Sequence, residues 1–70
     1  MIDMFAKRLV LSMQVEGLRA RDVCARTGFS QSNLSHFTTG QREPSISSLA
    51  KLLRAMPNVD ARWLVTGKHE

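Results

Sequence analysis

Each of the four glycines in this chain, Gly17, Gly28, Gly40 and Gly67, closes a run whose apolar residues recur at helical spacing. A glycine there can take the left-handed conformation that ends a helix without a Cβ penalty. No window shows a sustained period-two alternation of β-branched residues, so no strand is expected. The fold class is therefore all-α, with five helices. The first runs over about residues 3–16, with Asp3 as N-cap, Phe5, Leu9, Ser12 and Met13 on one face, and Lys7, Arg8 and Gln14 elsewhere. The second is short, Ala20–Thr27, burying Val23 and Cys24, with Leu18 packed just ahead of it. Ser30 is an N-cap for a third helix reaching Thr38 or Thr39, and Phe29 is placed to staple onto Leu34. Leu34 and Phe37 point inward. Ser45 caps a fourth helix over residues 46–56, whose expected buried stripe is Ile46, Leu49, Leu52, Leu53 and Met56. Pro57-Asn58 breaks the chain, and Asp60 caps a last helix, Ala61–Thr66, that lays Trp63 and Leu64 on the core. Residues 68–70 are expected to fray.

Seventy residues make one small domain, expected to span residues 1–70. A chain of this size buries only about 60% of its unfolded surface, so it depends on staples or on a partner. Cys24 is the only cysteine, which excludes an internal disulfide. Cys24, His36 and His69 have no metal-ligand spacing, so no metal is expected. Association with a partner is the remaining route. Hydrophobic content of 43% suits a globular domain. The longest apolar stretch, around residues 9–11, is far below the roughly 20 residues that span a bilayer. The start Met1-Ile2-Asp3-Met4 has neither the basic nor the apolar region of a signal peptide, and the expected address is cytoplasmic.

Ten Lys plus Arg against six Asp plus Glu leave a net charge of +4, and seven of the ten are arginine. The planar guanidinium suits phosphate and guanine, so the balance leans toward a polyanionic partner. The third helix sharpens this. Opposite Leu34 and Phe37 it offers Gln31, Ser32, Ser35 and His36, short hydrogen-bonding groups where Lys and Glu normally dominate a surface helix. Such a face suits close approach to another macromolecule. The B-DNA major groove, about 12 Å wide, accepts one helix, and a Gln there can pair bidentately with adenine.

The run Leu18-Arg19-Ala20-Arg21-Asp22-Val23-Cys24-Ala25-Arg26-Thr27-Gly28-Phe29-Ser30-Gln31-Ser32-Asn33-Leu34-Ser35 resembles the helix-turn-helix of the Cro and lambda-repressor-like family. Gly40-Gln41-Arg42-Glu43-Pro44-Ser45 is similar to that family's loop before helix four, and residues 60–67 to its last helix. The resemblance implies a compact five-helix domain that binds specific double-stranded DNA as a transcriptional regulator. It also implies a repressor working as a dimer on a palindromic operator. By the same resemblance Gln31, Ser32, Ser35 and His36 fall where side chains meet base edges, with Asn33 beside them, and Thr39, Gln41 and Arg42 where the loop meets phosphate. The family usually grips a further phosphate at the start of helix two with an amide that follows a hydroxyl cap. Arg19 and Ala20 occupy those places here, so Arg19 or Arg21 is expected to supply the charge instead. Some family members pair an Arg of helix one with a Glu at the end of helix three. Met13 and Thr38 stand there, an apolar contact in place of an ion pair.

Met56, Pro57, Asn58 and Val59 are the expected contact between subunits of a weak homodimer that DNA stabilises. No catalytic constellation stands out: Ser, His and Asp form no triad, Asp22 and Glu43 show no pairing, and no glycine loop cradles a phosphate. An enzyme and a cofactor are therefore not expected. Two alternatives stay open. One is a protein-interaction or antitoxin-like module on the same fold, which would carry an apolar or acidic patch on helix three. The other is the N-terminal domain of a longer repressor.

Overall fold

The computed structural model describes residues 4–68, which form five helices in the expected order. These are α1 (Phe5–Glu16), α2 (Ala20–Thr27), α3 (Gln31–Thr39), α4 (Ile46–Ala55) and α5 (Ala61–Thr66). The expected cap at Asp3 and the end residues His69 and Glu70 lie outside the described residues; Met4 occupies the extended N-cap position of α1. All four glycines hold positive φ, from +70° to +83°, at the helix ends. Ser30 accepts from the Asn33 N–H at 3.1 Å and Ser45 from the Ser48 N–H at 3.2 Å. Asp60 accepts from the N–H groups of Arg62 and Trp63. These side chains satisfy amides that the first turn of a helix leaves without carbonyl partners.

The core is one cluster drawn from all five helices: Leu9, Met13, Val23, Leu34, Phe37, Leu52, Ala55, Met56 and Leu64. Phe5, Leu18, Phe29, Leu49, Leu53, Val59 and Trp63 pack around it, half-buried. Helix α1 packs on α3 and α5, and α2 on α3 and α4. Cys24, expected inside, is half-buried at the edge of the cluster. Helix α4 ends at Ala55, one residue earlier than expected, and Met56 follows as its C-cap, donating to the Leu52 and Leu53 carbonyls.

Two expectations are overturned. Arg8, placed off the apolar face of the first helix, is only 6% exposed. Its Nε donates to the Leu64 carbonyl at 2.9 Å and its Nη2 to the Val65 carbonyl at 3.2 Å. A cation is favoured there, because carbonyls at the C-terminal end of α5 carry partial negative charge and lack helical partners. Ile46, assigned to the buried stripe, is 89% exposed. It occupies the first turn of α4, whereas the buried residues of that helix are Leu52 and Ala55, toward its other end. There the Arg26 guanidinium also donates to the Ala55 carbonyl at 2.8 Å, joining α2 to the end of α4. The packing covers α4 most fully at its C-terminal half and leaves Ile46 at its start bare. Met13 is buried, and Thr38 donates its hydroxyl to the Ser35 carbonyl at 3.2 Å.

Candidate nucleic-acid interface

Thr27 builds the tight connection between α2 and α3. Its buried hydroxyl donates to the Val23 carbonyl at 2.8 Å and accepts from the Phe29 N–H at 3.2 Å. Between them Gly28 takes φ +83° and donates its N–H to the Cys24 carbonyl, a backbone turn that L side chains rarely adopt. Three residues, Gly28, Phe29 and Ser30, thus join the two helices. Phe29 then sets the rotation of α3. Its ring meets the Phe37 ring edge-on, with centroids 5.6 Å apart and planes at 73°. With Leu34 and Phe37 fixed inward, the helix period turns Gln31, Ser32, Asn33 and Ser35 to solvent and leaves His36 half-buried at the margin.

Helix α3 carries no Asp, Glu, Lys or Arg. Its outer surface consists of two amides, hydroxyls and an imidazole, groups that exchange hydrogen bonds with base edges without a large desolvation cost. Cations stand before and after it in the chain instead. Arg19 and Arg21, at the start of α2, are exposed. An arginine side chain has no acceptor, so at the start of α2 only half of a capping box forms: the Arg19 N–H donates to Asp22 Oδ2 at 2.9 Å. The same carboxylate lies 3.7 Å from Arg19 Nε. That backbone hydrogen bond, with help from Arg19, Arg21 and Arg26, holds the Asp22 carboxyl below the usual carboxylate range.

On the other side, α3 ends at Gly40 with φ +82°. The chain folds back so that the Arg42 N–H donates to the His36 carbonyl at 3.1 Å. Gln41 and Arg42 stand exposed on this loop. Thr39 is exposed too, but its hydroxyl proton is directed to the Ser35 carbonyl at 2.8 Å. To donate to a phosphate it must first leave that bond. The structure thus gathers Gln31, Ser32, Ser35 and His36 on one helix, with Arg19 and Arg21 before it and Thr39, Gln41 and Arg42 after it.

Met56 does not share the exposure expected of a subunit contact. It is fully buried in the core, so of the four residues expected there Pro57 and Asn58 are exposed and Val59 is half-buried. Sequence reading also missed two arginines with structural work: Arg8, under α5, and Arg26, at the end of α4. For Arg8 the only local signal is its four-residue spacing to Ser12, whose buried hydroxyl donates to the Arg8 carbonyl at 2.8 Å.

Among the described residues no group of three or more His, Cys, Asp or Glu could hold a metal ion. No described helix is long and apolar enough to cross a membrane. No curated protein and no solved structure matches the chain. A family profile described as helix-turn-helix does match, over residues 16–64, and these hold the turn at Gly28, the whole of α2, α3 and α4, and the first residues of α5. On that match and this geometry, the chain belongs to the helix-turn-helix family of Cro and lambda-repressor-like domains and is a DNA-binding regulator.

Proposed function

We propose that residues 1–70 constitute one DNA-binding domain that represses transcription by occupying a palindromic operator as a dimer, in the cytoplasm. The observation that carries this reading is the division of labour around α3: a helix without Asp, Glu, Lys or Arg, preceded by exposed arginines at the start of α2 and followed by an exposed arginine on the loop. Gln31, Ser32, Ser35 and His36 read base edges. Arg19, Arg21, Gln41 and Arg42 hold phosphates, with Thr39 joining them once its hydroxyl turns from Ser35. One nine-residue helix reads only about four or five base pairs, and two copies related by a two-fold axis read a longer site. The exposed segment Pro57-Asn58 with Val59 supports the contact between copies. Repression follows from occlusion of polymerase, which needs no further surface.

Selection of binding sites from random duplex DNA tests the whole reading. The expected result is one enriched palindrome with half-sites one helical turn apart. Affinity should fall with salt along a log–log slope on the order of −5 to −9 for a bound dimer. Equal affinity for every sequence, or a flat salt response, would refute it.

A further inference from the structure

Helices α2 and α4 both start beside the candidate interface, and their far ends meet. Arg19 and Arg21 stand at the start of α2, and α4 follows the loop that carries Gln41 and Arg42. The two helices, eight and ten residues long, run for about 12 and 15 Å. Where they end, Arg26 Nη1 donates to the Ala55 carbonyl at 2.8 Å. Arg54 immediately precedes Ala55, and Lys51 stands three residues before Arg54 on the same side of α4. Arg26, Lys51 and Arg54 are all exposed. Three cations therefore gather at these helix ends, about 10 Å along α2 from Arg19.

Little offsets their charge. Helix α4 holds no Asp or Glu, and the next acid after it, Asp60, caps α5 through the N–H groups of Arg62 and Trp63. On α2, Asp22 stands four residues before Arg26, but it accepts from the Arg19 N–H and lies 3.7 Å from Arg19 Nε. The carbonyl ends of two helices together supply about one negative charge, which leaves about two of the three positive charges over. Lys51 and Arg54 make no hydrogen bond or ion pair among the described residues, and Arg26 uses one of its donors on Ala55. Of the large exposed apolar side chains, none belongs to α2, and the only one on α4 is Ile46, at its start. A protein interface is anchored by such side chains at its centre, whereas phosphate needs only donors and charge. The surface suits nucleic acid better than protein.

We propose that Arg26, Lys51 and Arg54 form a second phosphate-holding edge, which binds the backbone of duplex DNA without reading its bases. This rests on the reading of α3 as the recognition helix and adds a separate surface to it. Two sources offer the same phosphodiester chemistry. One is the flank of the operator duplex, beyond the half-site that α3 reads, in which case the edge lengthens the footprint. The other is a second duplex, in which case one protomer bridges two segments of DNA. From either source the edge adds affinity that falls with salt and carries no sequence preference.

The test compares the full chain with a double variant, Lys51→Gln with Arg54→Gln, which leaves Arg26 on Ala55; thermal melting checks that both fold. Each is titrated with a selected operator of about 20 base pairs, with that operator extended by random flanks to about 50, and with polyglutamate. In a second arm, operator complexes held on beads are offered a labelled random duplex. If the flank supplies the phosphate, the variant should lose about threefold or more in affinity on the long duplex alone. Its salt slope there should be flatter by about one unit for each cation removed. If a second duplex supplies it, the variant should retain about a third or less of the labelled DNA held by the wild type. The preferred sequence should be unchanged in both cases. An equal loss on the short operator would place the cluster inside the α3 site and overturn a separate edge. A variant equal to the wild type in every arm would overturn it as well. Polyglutamate binding that depends on Lys51 and Arg54, with no effect on DNA, would give the edge to an acidic protein and overturn the proposal. A wild-type chain that prefers no sequence would overturn the reading of α3 instead; the edge then stands or falls by whether the variant binds long random duplex more weakly.

Discussion

The backbone N–H of Arg42 donates to the carbonyl oxygen of His36 at 3.1 Å. A residue assigned to phosphate is thereby registered to one assigned to a base edge. The bond crosses Gly40, whose left-handed φ of +82° lets the loop return to the helix that it has just left. The bond couples the loop to α3, so on the proposed division of roles a phosphate held by Arg42 would limit the error in placing Gln31.

Gly40→Ala is expected to destabilise the chain by about 1–2 kcal/mol, the cost of left-handed backbone for an L residue. Contact is not the cause, since an added methyl would stand 3.5 Å from Met4 Cε and 3.7 Å from Ala6 Cβ, ordinary distances. Thermal melting should show a drop of about 4–8 °C per kcal/mol for a domain of this size. Gly40→Asn should lose less, because Asn tolerates that region better. Equal melting temperatures for all three chains would show that the turn carries no strain.

Gln31→Ala and Arg42→Ala should separate reading from holding. Loss of the Gln31 amide should cost about 1–3 kcal/mol of DNA affinity and relax preference at one base position. Loss of the Arg42 guanidinium should weaken all sequences alike and flatten the salt slope by about one unit. Binding isotherms on a panel of single-base operator variants at several salt concentrations distinguish the two. Indistinguishable profiles would mean that these roles are wrongly divided.

The helices were legible because their ends are local: Ser30, Ser45 and Asp60 bond to amides two or three residues away, and the glycines end helices by their own backbone. The outer face of α3 was legible for a similar reason, since Leu34 and Phe37 set its rotation. Arg8 was not, because its carbonyl partners lie 56 and 57 residues away, and nothing near a basic residue announces so distant an acceptor. Ile46 failed on a related point. It fits the same apolar stripe as the buried Leu52 and Met56, and periodicity reports which face of a helix is apolar without saying how far the neighbouring helix extends along it. Ile46→Ser should therefore change stability by no more than about 0.5 kcal/mol, whereas Leu52→Ala, at a fully buried position, should cost about 2–5 kcal/mol. Urea unfolding of both variants measures the contrast.

Asp22 gives the pH dependence of the start of α2. Its folded carboxyl titrates below the usual range, chiefly through the Arg19 N–H bond, so the unfolded chain takes up a proton first as pH falls. The stabilisation is complete above the unfolded carboxylate range and is lost as pH falls through the folded value. Asp22→Asn should remove this dependence and bring stability at neutral pH closer to its acid value. Unfolding curves between neutral and strongly acid pH, wild type against variant, should converge at the acid end. Parallel curves would mean that the bond contributes nothing.

Arg8 ties the end of α5 to α1. Helix α5 has only six residues, too few to persist on its own, and its last carbonyls are held by a buried guanidinium from α1. Arg8→Met keeps most of the apolar stem but leaves the Leu64 and Val65 carbonyls without that donor, a loss of about 2–3 kcal/mol. The expected outcome is early amide exchange across residues 61–66, with α2 and α3 protected almost as in the wild type. Hydrogen exchange followed residue by residue reads all three regions at once. Uniform loss of protection across every helix would instead make Arg8 a member of the global core, with no separate hold on α5.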